Sequence, residues 1–170
     1  NLYAYAANNP VHYIDPDGRT NVAINSTYKM NSMNGTLPLY NFNISGTDIP
    51  FHEKGCAITA ISNLASTLGL SFNPSQLNNS TYVNSVGNVK WKNVASEFGV
   101  DVTISYTPFT YAIFDEQEND SQHNYYTIIR VQYDTNPDED HHWVGVNGKE
   151  TVDGIDYFVI SPTSVNDSNI

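Results

Sequence analysis

A single cysteine stands among 170 residues, and only seven lysines and arginines oppose eighteen aspartates and glutamates. The lone thiol, Cys56, excludes an internal disulfide framework and carries no message about compartment. The shortage of positive charge leaves a formal net charge of −11. Such a balance repels phosphate backbones. The basic residues present (Arg19, Lys29, Lys54, Lys90, Lys92, Arg130, Lys149) are scattered, which argues against nucleic acid as the main partner. No run of about 18 apolar residues exists, so no membrane span is expected. Neither an initiator Met nor a signal peptide opens the chain. "NLYAYAANNP" instead reads as the interior of something longer, and the chain is expected to be the tail of a larger protein.

Aromatic residues, by contrast, are plentiful: twelve Tyr, seven Phe and two Trp supply enough bulk for a core. The length suits one domain, since domains run to roughly 100–200 residues. Residues 1–18, "NLYAYAANNPVHYIDPDG", are dense in turn formers (Asn-Pro, Asp-Pro, Asp-Gly) and too short to fold alone. Residues 19–47 are rich in Asn, Ser, Thr and Gly with dispersed apolars, and read as a linker followed by an extended arm.

From Ala57 the apolar residues Ile58, Ile61, Leu64, Ala65 and Leu68 fall on one helical face, with Gly69 as a stop. "NPSQLNNS" (73–80) predicts a turn with a short helix. "NVKWKNVASEFGV" (88–100) predicts a second amphipathic helix ending at Gly99. Strand signals follow in "VDVTISY" (100–106), "YYTIIRVQY" (125–133), "HWVGVNG" (142–148) and "DYFVIS" (156–161). The polar segments 115–124 and 134–140 read as loops. Helices first and strands afterwards predict an α+β fold.

Cys56 follows Gly55 at the head of the first helix. Unpaired N–H groups and the positive dipole end at a helix N-terminus stabilise a thiolate and can hold an oxyanion during attack on a carbonyl. A lone cysteine is more often a small core residue, so position alone leaves both roles open. A nucleophilic thiol needs a base, normally histidine. His12 belongs to the turn-rich opening, and His123 sits in a polar stretch where solvation is the simpler reading. His141 and His142 open a predicted strand, where a sheet would hold a base rigidly. "DEDHH" (138–142) has metal-ligand residue types. Consecutive residues rarely converge on one ion, however, and no second cluster exists, so neither metal nor cofactor is expected.

Two resemblances add to this reading. "NLYAYAANNPVHYIDPDG" resembles the end of the RHS/YD-repeat-associated core, whose hallmark is NLYxYxxNNPxxxxDPxG. In that family the repeats form a β-shell. The DPxG motif, here Asp15, Pro16 and Gly18, marks the shell's C-terminal boundary and often a cleavage point, and a variable effector follows. The family usually continues with Leu; Arg19 follows here.

Farther on, "GCAITAISNLASTLGLSFNPSQLN" followed by "HWVGVNG" and "YFVISP" resembles the papain-like C39 and C39-like bacterial cysteine peptidases over roughly residues 48–165. That resemblance implies a papain-like fold in which a helix carrying Cys packs on an antiparallel sheet carrying His. Cys56 would be the nucleophile and His142, adjoining Trp143, the general base. The family's third residue, an Asp before Pro, is replaced by Ser161, with Asn166 and Asp167 as further stand-ins. Its oxyanion-hole Gln falls at Pro50, leaving His52 or Thr47 as substitutes.

Together the resemblances imply an effector domain over 48–170 of a secreted or delivered toxin. It would cleave a peptide or isopeptide bond in a target-cell protein, with an immunity protein as a partner. A catalytically silent binding module, and acyl transfer or deamidation by the same Cys–His pair, are the competing expectations.

Overall fold

The computed structural model describes residues 22–29, 41–44, 47–50, 55–84, 88–132, 141–161 and 163. The DPDG boundary residues Asp15, Pro16 and Gly18, the histidines His12 and His52, and the acidic stretch 134–140 lie outside the described residues.

Helix α1 spans Cys56–Thr67 and buries Ile58, Ile61, Leu64 and Ala65, as the apolar spacing predicts. It closes with Gly69 N–H on the Ser66 carbonyl (3.1 Å) and Leu70 N–H on the Ala65 carbonyl (2.8 Å). That paired closure needs a left-handed residue, and Gly69 takes it at φ 74°. Helix α2 (Pro74–Leu77) is short and well capped. The Asn73 side chain accepts from the N–H groups of Ser75 and Gln76, and the Gln76 side chain accepts from Asn73 N–H. Helix α3 (Trp91–Phe98) buries Val94, Ala95 and Phe98 and stops at Gly99.

Two expectations are corrected. The stretch 100–106 alternates like a strand but pairs with no strand among the described residues, and Tyr106 stands 97 % exposed. Alternation is a strand signal only when a neighbour supplies the ladder. Conversely, part of the expected loop 115–124 belongs to helix α4, Tyr111–Asn119, which starts where the Thr110 hydroxyl accepts from Ile113 N–H. Its weak apolar pattern has a physical cause: Phe114 is the single residue of α4 that it buries.

Strands β1 (Asn41–Ile44) and β2 (Thr47–Pro50) form a separate antiparallel hairpin. The principal sheet is antiparallel, ordered β3 (Thr127–Gln132), β4 (His141–Val152), β5 (Ile155–Ser161). Asp153 and Gly154 link β4 to β5, both at positive φ (52° and 79°), the two-residue turn whose twist matches the strands. With its helices and this sheet the chain is α+β.

The sheet has two dissimilar faces. Val146 pairs with Thr127 and with Ile160. Thr127 donates to Gln117 of α4, and Phe158, two residues from Ile160, packs on Phe109, Tyr111 and Phe114. This face belongs to α4. On the other face Trp143 meets Trp91 at 5.2 Å between ring centroids, and Gly145 lies beneath Ile24. Ile24 shares one core with Ile58, Ile61 and Leu64 of α1 and with Phe98 of α3, and Ile128, paired to Gly145, packs against it.

Residues 22–29, expected as part of a linker or arm, are irregular in structure yet built into the core. Val22 N–H donates to the Tyr125 carbonyl, and the Asn147 side chain pairs with both backbone groups of Ile24. The buried Asn63 does the same for Tyr28. Val22 and Ile24 are buried, so the folded unit includes residues ahead of position 48.

Candidate functional site

Helix α1 opens at Cys56, which is a free thiol, buried at 7 % exposure. Gly55 precedes it and has no side chain with which to cap the helix. The Thr59 hydroxyl turns back to the Gly55 carbonyl at 2.9 Å, which ties down the first turn. Apart from Cys56, α1 carries no ionisable side chain.

His142 is the second residue of β4 and pairs with Val131 of β3. Its ring is buried at 5 % exposure. Burial fixes the imidazole and obliges its polar atoms to find partners. Nε2 lies 2.8 Å from the hydroxyl of Thr163, itself fully buried, and the same hydroxyl donates to the Trp143 carbonyl at 2.9 Å. Helix α1 packs against β4, so the elements bearing Cys56 and His142 are direct neighbours. His141 pairs with Gln132 at the start of the same strand.

Ser161, the expected stand-in for the missing acid, is placed elsewhere. It pairs with Gly145, three residues along β4 from His142, an offset of about 10 Å at strand rise. Its hydroxyl donates to the Asn25 carbonyl at 3.3 Å. The hydroxyl at the histidine is that of Thr163, which sequence reasoning missed. The one available signal was its position, two residues beyond the end of β5 and just past Pro162. Asn166, Asp167 and Pro50's neighbour His52 fall outside the described residues, and Thr47 is placed only as the first residue of β2.

A different polar cluster joins α4 to β3. Asp120 accepts from the Tyr125 hydroxyl (2.7 Å) and from Gln122 N–H (2.8 Å), and His123 Nδ1 lies 2.7 Å from it. Those bonds, the Tyr125 hydroxyl first, hold the Asp120 carboxyl down at about 2 from an ordinary 3.8. The same contact raises the Tyr125 phenol. Among the described residues no group of three His, Cys, Asp or Glu side chains could hold a metal ion, and no helix is long and apolar enough to cross a membrane.

Set against protein-family models, curated proteins and solved structures, the chain gives no match to any of the three.

Proposed function

We propose that this chain is a papain-like cysteine peptidase domain, the effector at the C-terminal end of an RHS-type toxin. The observation that carries the proposal is a buried histidine, held by a buried hydroxyl, on the strand against which the Cys56 helix packs. Buried imidazoles engaged in this way are the form in which proteins hold a base in place. The sequence resemblances of residues 1–18 and 48–165 supply the delivery context and the reaction class.

In this reading His142 takes the Cys56 thiol proton, and the sulfur attacks the carbonyl carbon of a peptide or isopeptide bond in a target-cell protein. The tetrahedral intermediate collapses as His142 protonates the leaving amine, which leaves a thioester on Cys56. Water, losing a proton to His142, adds to that thioester and releases the acid and the free thiol. The backbone N–H groups after Gly55 face the developing oxyanion. An immunity protein would counter this acidic domain with a basic surface.

A catalytically silent binding module has its own support. Strand alternation sets His142 with Val144 and Val146, the face of the sheet on which α4 lies. The α1 core instead reaches the opposite face, through Ile24 and Ile128.

Thiol alkylation separates the two. In a peptidase, folded Cys56 reacts with iodoacetamide at pH 6 at least about tenfold faster than free cysteine. His142→Ala removes that excess, and His141→Ala leaves it. A rate no greater than that of free thiol ends the enzyme reading. Mass spectrometry of co-incubated target-cell proteins then sorts cleavage from deamidation and acyl transfer.

A further inference from the structure

The basic residues are scattered along the sequence, but the fold gathers three of them around the two tryptophans. Trp91 and Trp143 meet at 5.2 Å between ring centroids, and both are half-buried. Lys90 and Lys92 flank Trp91 at the head of α3. Arg130 is the register partner of Trp143, so the two stand together on one face of the sheet, with Cβ atoms about 5 Å apart. All three cations are exposed. We infer that this aromatic and cationic surface is a docking site for an acidic peptide segment of another protein. The inference goes beyond the peptidase reading and holds equally for a silent binding module.

Uncommitted positive charge is what sets the surface apart. With eighteen acidic side chains to seven basic ones, a cation of this chain has many carboxylates to choose from. Lys149 takes one, Asp115. Lys90 donates instead to the Ser80 carbonyl at 2.7 Å. Among the described residues neither Lys92 nor Arg130 forms an ion pair. Glu97, the one acid of α3, is engaged with Tyr82. On the α4 side of the sheet, Asp115 and Asp120 are held by Lys149 and Tyr125. At physiological salt a charge is felt over about 8 Å, so the field at the tryptophans is set by these neighbours more than by the net charge of −11.

The aromatic part decides the kind of anion. Trp91 packs against the core that holds Val94 and Phe98, and it tilts on Trp143 at 48°. Rings held in this way offer edges and part of a face. That suits one apolar side chain better than a run of stacked bases, which needs open ring faces and a long cationic track. Tryptophan and arginine are also the side chains that concentrate binding energy at protein interfaces. The matching ligand is an extended segment in which an apolar residue is flanked by Asp or Glu. Its apolar group rests on the tryptophans, and its carboxylates reach Lys92 and Arg130.

Trp91 and Trp143 are the only tryptophans in the chain, so intrinsic fluorescence reports on this surface alone. The full chain is titrated with a Trp-free synthetic peptide that alternates Asp and Glu with Leu and Phe. Its neutral analogue carries Asn and Gln at the acidic positions, and an oligothymidylate serves as the nucleic-acid probe. The acidic peptide should give a saturable blue shift that weakens as salt is raised. Lys92→Gln and Arg130→Gln should each lower its affinity about 2–5-fold, the range of one exposed ion pair. The pair Lys92→Glu and Arg130→Glu should abolish the shift while leaving the circular dichroism spectrum unchanged, because both side chains are exposed. Lys92→Arg should retain binding.

The charge series on the peptide needs no variant and tests the inference by itself. Equal binding of the neutral analogue overturns it, and so does the absence of a saturable shift with the acidic peptide. Tighter binding of the oligothymidylate overturns it as well and assigns the surface to nucleic acid. None of these outcomes bears on Cys56 alkylation, so the peptidase reading stands or falls separately.

Discussion

At the scale of single residues the chain separates polar groups that are buried and shared from those that are exposed and shared. The Asn63 and Asn147 side chains each satisfy both backbone groups of a residue in 22–29, which supports an irregular segment where it enters the interior. Asp120 does its work nearer solvent, and its titration gives a prediction with a definite sign. Its folded pKa is depressed, to about 2 from 3.8. Its contribution is therefore present above the unfolded value and is lost as pH falls from about 4 through about 2. Acid titration followed by circular dichroism should show stability declining over that window. Asp120→Asn should flatten this part of the decline and leave the behaviour at neutral pH little changed. Residues also mark the limit of sequence reading at the site. Cys56 and His142 announced themselves by residue type and position in their elements. Thr163 could not, because a hydroxyl two residues past a strand has no periodicity, charge or spacing to set it apart.

Secondary elements were legible where burial imposed a period. In α1 the alignment of Ile58, Ile61, Leu64 and Ala65 predicted both the helix and its buried face, and in α3 Val94, Ala95 and Phe98 did the same. Where burial was slight, the sequence misled. α4 buries Phe114 alone, so its acidic exterior looked like a loop, whereas 100–106 had a strand's alternation and, among the described residues, no partner strand to complete it. The Asp-Gly pair at 153–154 was not read as a turn from the sequence, although both positions stand at positive φ, where that pair is favoured.

The most exacting element contact is at Gly145. An added Cβ there would lie 2.9 Å from Ile24 Cδ1, 3.1 Å from Ile24 Cβ and 3.2 Å from Ser161 Cβ. The first of these atoms can swing aside, but the other two are fixed by the backbone. Gly145→Ala is expected to cost about 1–3 kcal/mol in urea unfolding, as overpacking does. Gly148→Ala, on the same strand with its nearest neighbour at 3.8 Å, should cost less.

Over the whole molecule the α+β class followed from the order of signals along the chain, and the extent of the folded unit did not. Polar composition made 19–47 look like a linker, yet Ile24 is 2 % exposed and joins the main core. Two buried apolar residues in an Asn- and Thr-rich stretch leave little trace in composition, and their partners are distant in sequence. Ile24→Ala should therefore destabilise the entire domain by about 2–5 kcal/mol, the range for a large core residue. The loss should appear as one cooperative transition in denaturant. A local loosening that leaves the main transition unchanged would mean that residues 22–29 are an attachment and not part of the folded unit.

The strap formed by residues 22–29 also has a kinetic meaning. Ile24 is hydrogen-bonded to Asn147, 123 residues away, and Asn25 to Ser161, 136 away. Closing contacts of such separation demands a large share of chain entropy before any of them repays it, so high contact order makes the final assembly slow compared with helix formation. A chain emerging N-terminus first must hold residues 22–29 in waiting until β4 and β5 exist. Completion of the core is thus tied to the last-made strands, and a chain arrested before β4 carries α1 and Ile24 without the strand that lies beneath Ile24.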